Sequence, residues 1–154
     1  MAKIRTVEEI VSGTVKKDIE DYGKLLEQDK IDLRGEVNNI EEICSTLKEY
    51  YTYQMVSEEL KKRYNNIVQT VNNYNASYRR TGDKKYLTMS MNARTTAELV
   101  KKEYDYYYGK AVALSSSAVE CDNILCDALS RKENRENREN RENRDKKAKL
   151  PKRK

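Results

Sequence analysis

The sequence predicts a mainly α-helical protein whose long amphipathic helices assemble into an oligomer. Apolar or aromatic side chains recur every three or four residues from Val37 to Tyr74, with no proline or glycine among them. This spacing places one apolar stripe along one side of a helix. At the same time 37% of all residues are charged, the mean hydropathy is −1.02, and Phe and Trp are absent. We expect so polar a chain to complete its core against other chains.

The chain divides into three parts. Residues 1–30 are predicted to form an N-terminal helical pair, residues 31–130 a central helical oligomerisation domain, and residues 131–154 a charged low-complexity tail. Two successive short helices are compatible with a helix-turn-helix, or with a helical hairpin that covers the long stripe.

The long stripe weakens near its middle, where the polar residues Gln54 and Ser57 replace apolar ones. A kink or break is therefore expected between residues 52 and 57. The stripe and its later counterpart supply the candidate contacts between subunits, which are Ile40, Ile43, Leu47, Ile67, Val71, Val100 and Tyr104.

A short β-hairpin is predicted near residues 77–89, because Gly82 can adopt the positive φ that a hairpin turn needs. Its tip would carry Arg79, Arg80, Lys84 and Lys85 beside one acid, Asp83. Such a tip can contact the phosphate backbone of a nucleic acid, or can simply keep an exposed turn soluble.

Two further helices are expected after the hairpin. Asn92 is placed to cap a third long helix, and Ser117 begins a final helix after a break at 114–117. Tyrosines crowd the end of the third helix, at positions 104 and 106–108. They are interpreted as core or interface residues, since no basic residues lie among them.

The tail carries the positive charge of the protein. Residues 131–154 have a net charge of +7, whereas residues 1–130 have −2. The tripeptide Glu-Asn-Arg occurs four times in residues 133–144, and a period of three builds no apolar face, so this segment is predicted to be disordered or a frayed helix. Its end is a candidate site for DNA or an acidic partner, through Lys146, Lys147, Lys149, Lys152, Arg153 and Lys154.

Several chemistries are not expected. The sequence contains no histidine and no phosphate-binding GxxxxGK[ST] motif, so we predict that the protein is not an enzyme and needs no cofactor. Three cysteines without metal-ligand spacing argue against a metal site, and Cys44 and Cys121 are read as small buried thiols. No apolar run approaches 18 residues, which indicates a cytoplasmic protein without a membrane partner.

The order of elements resembles that of one family of small terminase subunits from tailed bacteriophages. The parallels are the polar connection before Leu33 to Leu47, the segment Tyr50-Tyr51-Tyr53, the hairpin around Gly82, the Asn92-capped helix, and the break Leu114-Ser115-Ser116-Ser117. The sequence departs from the family where Ala93 follows the capping Asn92 in place of a frequent proline, and where a proline commonly follows the Leu114 region.

The resemblance implies a non-enzymatic, ring-forming subunit that recognises double-stranded DNA in the host cytoplasm and hands it to a separate large terminase subunit. It also places DNA recognition in the N-terminal helices, where Lys16, Lys17 and Lys24 lie, which slightly favours that site over the predicted hairpin tip. The alternative is a phage structural, connector or cargo protein of the virion that does not read DNA.

Overall fold

The computed structural model of the chain describes residues 3–149, with side chains through residue 145. The part described consists of helices and contains no strand, which confirms the mainly α class. In chain order the helices are α1 (Val7–Ile10), α2 (Thr14–Asp32), α3 (Ile40–Thr81) and α4 (Lys85–Lys149).

The two long helices form an antiparallel hairpin. Buried residues of α4 follow a seven-residue repeat in which two positions, three or four residues apart, face α3; they are Ala97, Val100, Tyr107, Ala111, Ala118, Leu125 and Ala128. A strict repeat of seven is typical of a left-handed coiled coil. At 1.5 Å per residue, α4 is about 97 Å long and α3 about 63 Å. The hairpin is thus a rod, and α4 extends past the start of α3.

Helix α2 folds back along the first half of α3 and closes a core at that end of the rod. Leu26 and Leu33 join Ile43 and Leu47 of α3 and Leu125 of α4 in one buried cluster. The thiol of Cys44 lies in the same cluster, 3.6 Å from the carbonyl oxygen of Leu26, which confirms that Cys44 is buried. Burial raises the pKa of this thiol.

Residues 3–11, here called the strap, cross the middle of the hairpin. Ile10 and Val11 pack against Val56, Leu60 and Val100 in a second buried cluster. Polar contacts also fix the strap, because the guanidinium of Arg63 donates to the Ile10 carbonyl at 2.6 Å and the Tyr107 hydroxyl donates to the Arg5 carbonyl at 2.6 Å.

The charged residue at the centre of these contacts is Glu103, whose side chain is fully buried. Arg5 holds both carboxylate oxygens, through Nε and Nη2 at 2.8 Å each, and its backbone N–H adds a contact of 3.2 Å. Burial raises the pKa of Glu103, but the hydrogen bonds and charge of Arg5, with the charge of Arg63, outweigh burial and hold the pKa below its usual value. A buried carboxylate is stable here because its charge is paired.

The prediction of a β-hairpin at residues 77–89 is wrong. Residues on both sides of Gly82 are helical, since α3 runs to Thr81 and α4 begins at Lys85. The positive φ of Gly82, 70°, ends a helix instead of turning a strand pair. The contacts between α3 and α4 continue through this segment, since the Ser90 hydroxyl donates to the Asn75 side-chain oxygen at 2.8 Å.

The interruptions expected within the long helices are also absent. Helix α3 continues without a break through residues 52–57, where Val56 keeps the stripe buried. Helix α4 passes through Asn92 and through 114–117 without ending. The hydroxyl of Ser115 donates to the Val112 carbonyl at 2.8 Å, which satisfies a serine inside a helix, so the serines do not start a new one.

The charged repeat continues α4 to Lys149, so of the two forms predicted for the tail, disordered or a frayed helix, residues 131–149 are helical; residues 150–154 lie outside the described part. Lys132 donates to the Asp32 carbonyl at 3.1 Å, and Arg135 pairs with Glu36. Residues 136–145 are exposed all round. We call residues 131–149 the tail helix.

Most of the candidate subunit contacts lie inside a single chain. The hairpin supplies an intrachain partner for side chains that were assigned to contacts between chains, and five of them are buried within it: Ile40, Ile43, Leu47, Val71 and Val100. Ile67 and Tyr104 are half-buried against the second buried cluster, the one that contains Ile10 and Val11 of the strap.

Candidate nucleic-acid interface

The end of the hairpin is built around a three-residue turn. The N–H of Gly82 donates to the Tyr78 carbonyl at 2.7 Å and closes the last turn of α3. The next helix is capped by Asp83, whose side-chain oxygen accepts the N–H of Lys85 at 3.0 Å. Both helix ends are therefore satisfied locally, and the cations around the turn remain on the surface.

Four of the predicted basic residues surround this turn and are exposed: Arg79, Arg80, Lys84 and Lys85. One acid lies among them, Asp83, at 3.8 Å from the Lys85 ammonium group. The arginines occupy the last turn of α3, where the helix dipole favours positive charge.

The structure adds a fifth cation to this group. Arg94 is exposed on α4, three turns from its start, and belongs to the same end of the rod. Arg94 is not among the residues predicted from the sequence, because it follows the predicted Asn92 cap and so falls in a helix separate from the predicted β-hairpin. Residues 65–97, here called the distal hairpin, thus carry five Lys/Arg and one Asp/Glu.

The opposite end of the folded body has the opposite charge. Residues 18–49 and 115–130, here called the basal end, come together when α2 folds back on the hairpin. They contain 13 Asp/Glu and four Lys/Arg, a net charge of −9, against +4 for the distal hairpin. A polyanion is therefore attracted to the distal hairpin and repelled by the basal end, while the tail helix that continues α4 past the basal end has a net charge of +4.

The N-terminal candidates lie in a less favourable setting. Lys16, Lys17 and Lys24 are exposed on α2, but Asp18, Glu20 and Asp21 lie among them. Helix α1 has four residues and buries Ile10 against the hairpin. A short first helix fixed in this way does not leave a helix-turn-helix free to enter a groove of DNA.

The tail candidates are placed only in part. Lys146, Lys147 and Lys149 belong to the last turns of α4. Lys152, Arg153 and Lys154 lie outside the described residues.

Within residues 3–149, no group of three acidic or cysteine side chains is arranged to hold a metal ion. None of the helices in that range combines the length and apolarity needed to cross a bilayer. No protein-family model, curated protein or solved structure matches this chain. The surface of the chain itself is thus the basis for assigning a function.

Proposed function

We propose that this protein is a non-enzymatic DNA-binding subunit of a homo-oligomer, and that the distal hairpin is its contact with the phosphate backbone. The observation that carries the proposal is the excess of five exposed cations over one acid at one end of the rod. Backbone binding needs several cations together, since each neutralised phosphate adds to affinity by releasing counterions.

The biological role proposed for such a subunit is that of a small terminase subunit, which would present viral DNA to a large terminase subunit in the host cytoplasm. This part rests on the sequence resemblance. Three of the elements that carry the resemblance differ in the structure. The β-hairpin around Gly82 is replaced by a turn between two helices, and the Asn92 cap and the break at 114–117 are replaced by continuous helix. The polar connection expected before Leu33 is displaced along the chain, since α2 runs to Asp32 and the connection to α3 occupies residues 33–39.

The second candidate is a structural or interaction protein of a virion that binds protein instead of DNA. It is supported by apolar side chains exposed beside the cations, because Leu87, Met89 and Met91 are 39%, 42% and 66% exposed. Exposed apolar residues at such a site are more typical of a protein interface than of a phosphate contact.

Duplex binding at two salt concentrations tests the proposal. In the Arg79→Gln, Arg80→Gln double variant, affinity is expected to fall for all sequences alike and the slope of log affinity against log salt to decrease by about 1.8, at 0.9 per lost phosphate contact. The matched control is the Lys16→Gln, Lys17→Gln variant, which removes the same charge from exposed sites on α2 and is expected to retain the slope.

The reverse pattern, a reduced slope only in the control variant, would assign DNA binding to α2. If neither double variant changes affinity while deletion of residues 131–154 abolishes binding, the folded body is a scaffold and the tail alone contacts DNA. The absence of any salt-dependent binding by the full chain would favour the second candidate.

A further inference from the structure

The distal half of α3 carries a row of uncharged amide side chains on its outer side. Five of them are exposed, and we call them the amide face: Asn65, Asn66, Gln69, Asn72 and Asn73. Spacings of three and four residues place them on one side of the helix. Val71, which is buried, lies on the opposite side of α3. The amide face is therefore turned away from the interior of the hairpin.

Cations frame the amide face, and no acid interrupts it. From residue 61 to residue 81, α3 contains five Lys/Arg and no Asp/Glu, whereas residues 40–60 of the same helix contain one Lys and five Glu. Lys62 and Arg80 are both exposed and lie 18 residues, or about 27 Å, apart at the two ends of the face. The two halves of one helix thus have net charges of −4 and +5, and only the distal half attracts a polyanion.

The helix dipole accounts for part of this charge. It favours cations in the last turn of a helix, where Arg79 and Arg80 lie. Lys61 and Lys62 precede the end of α3 by about five turns, and both are exposed. A negatively charged partner along the whole distal half of α3 explains all four positions.

The amide face also lowers the helical propensity of α3. Asparagine is a weaker helix former than lysine, glutamate or alanine, because its side chain competes for backbone hydrogen bonds. Exposed positions in the first half of α3 carry charged residues instead, such as Glu41, Glu42 and Glu49. Asn75 is partly buried and accepts the Ser90 hydroxyl, whereas the four asparagines of the amide face are exposed. Their donors and acceptors are thus available to a partner.

The outer side of this part of α3 is accessible to a large partner. The strap packs against Val56 and Leu60, and α2 packs along the first half of α3. An α-helix has a diameter of about 10–12 Å, and the major groove of B-DNA is about 12 Å wide. Residues 65–73 span about 12 Å, or roughly three to four base pairs. The amide face therefore has the size of a short base-reading surface.

The chemistry of the side-chain amides matches one base in particular. In the major groove adenine presents an acceptor at N7 and a donor at N6, and Asn or Gln can bond to both at once. The amide NH₂ donates to N7 and the amide oxygen accepts from N6. Lysine and arginine, in contrast, favour guanine or phosphate.

We propose that the distal half of α3 lies in the major groove of duplex DNA and that the amide face reads adenine there. Lys62 at one end and Arg80 at the other contact the phosphates that border the groove. This inference rests on the proposed function and adds sequence recognition to the backbone contact.

Selection from a pool of random duplexes by the full chain tests for sequence recognition. The expected result is a preferred site of about three to four base pairs that is rich in adenine. The Gln69→Ala, Asn73→Ala variant should then lose about tenfold of the preference for this site over a scrambled duplex, since each amide contact discriminates between bases. Its salt slope should be unchanged, because no cation is removed. Alanine favours the helix, so the variant should keep its fold, which a thermal melt checks.

The Gln54→Ala, Asn123→Ala variant is the matched control. It removes the same two kinds of side chain from exposed helical positions outside the amide face. Both the sequence preference and the salt slope should be retained.

Replacement of the selected adenines by 7-deazaadenine tests whether the contact is in the major groove. This base lacks the N7 acceptor, but its base pairing and its minor-groove edge are unchanged. The affinity of the wild-type chain should fall about fivefold, and that of the Gln69→Ala, Asn73→Ala variant should fall less. An equal response of the two proteins, or none in the wild type, would overturn the proposal.

The outcomes separate this inference from the proposed function. If the chain binds duplex with a steep salt slope but selects no sequence, DNA binding holds and recognition by the amide face is wrong. If a sequence is selected and the Gln69→Ala, Asn73→Ala variant keeps the preference, another surface reads the bases and the inference is also wrong. If the chain binds no duplex, the proposed function fails and base recognition fails with it.

Discussion

The two halves of the hairpin differ in what covers them. Where α2 and the strap pack, the hairpin contains side chains removed entirely from solvent, such as Val56 and Leu60. We call residues 40–64 and 98–130 the covered hairpin. The distal hairpin has no third layer, and its buried residues are Val71, Ala97 and Ser90.

The covered hairpin therefore supplies the stability of the protein, and the distal hairpin supplies an exposed, charged surface. Two helices alone bury little apolar area, so the distal hairpin depends on the covered hairpin to hold its helices together. Because neither the strap nor α2 covers the distal hairpin, its surface is exposed and carries cations. The five predictions that follow test this division, in order of expected effect.

Leu60→Ala should destabilise the protein far more than Val71→Ala. Leu60 is fully buried under the strap, and such a truncation costs about 2–5 kcal/mol in the free energy of unfolding. Val71 is in the two-helix region, where partners can relax, and its truncation should cost about 1–2 kcal/mol. Urea unfolding measures both. A larger loss from Val71→Ala would mean that the distal hairpin has its own core.

Arg5→Ala should release the strap and cost about 1–3 kcal/mol, because it leaves Glu103 without its partner. The lower part of this range is expected, since Arg5 is 36% exposed and water can replace it.

The same pair predicts a dependence on pH. The pKa of Glu103 is below its usual value of about 4.3 in the folded state, so its contribution is complete above that value and is lost as the pH falls through the folded pKa. Unfolding measured from pH 7 to pH 3 should show this loss in the wild type and a smaller one in Glu103→Gln. Identical pH profiles would contradict the pairing of Arg5 with Glu103 in solution.

Replacement by alanine should have opposite effects on stability at two glycines. A Cβ at either Gly82 or Gly109 meets no atom within 4 Å, so packing does not contribute. Gly82 has φ +70°, and Gly82→Ala should cost about 1–2 kcal/mol in backbone strain. Gly109 lies inside α4, and Gly109→Ala should stabilise by about 0.5–1 kcal/mol. Thermal melts of the two variants compare them directly, and a stabilising Gly82→Ala would rule out the turn described.

Removing residues 139–154 should have the smallest effect on stability, within about 0.5 kcal/mol, because residues 139–145 are exposed. Circular dichroism adds a sharper measurement. If the tail helix exists in solution, deletion lowers the total helical signal by the contribution of residues 139–149. An unchanged signal would return this segment to the disorder that its sequence predicts.

The helical class and the long stripe could be predicted from sequence because spacing alone determines which side chains share a face. The course of α4 could not be predicted as readily. Gly82 suggested a strand turn and Ser117 a helix start, since both residues favour chain reversals or caps in isolation. The seven-residue spacing of Ala111, Ala118 and Leu125 crosses residues 114–117 and favours one continuous helix, but alanine is a weak apolar signal.

The candidate site could also be predicted only in part from the sequence. Arg79 and Arg80 were identified from local charge, whereas Arg94 and the acidity of the basal end depend on which helices pack together.

The chain reversal at Gly82 bears on the order in which the protein folds. Contacts close to the reversal, such as Asn75 with Ser90, close short loops but bury little apolar surface. Closing the longer loop that brings Leu60 to Val100 costs only about 0.9 kcal/mol more, since loop entropy grows with the logarithm of length. One buried leucine more than offsets that difference. The folding nucleus is therefore expected around Leu60, with the helices growing outward toward Gly82 and the strap docking last.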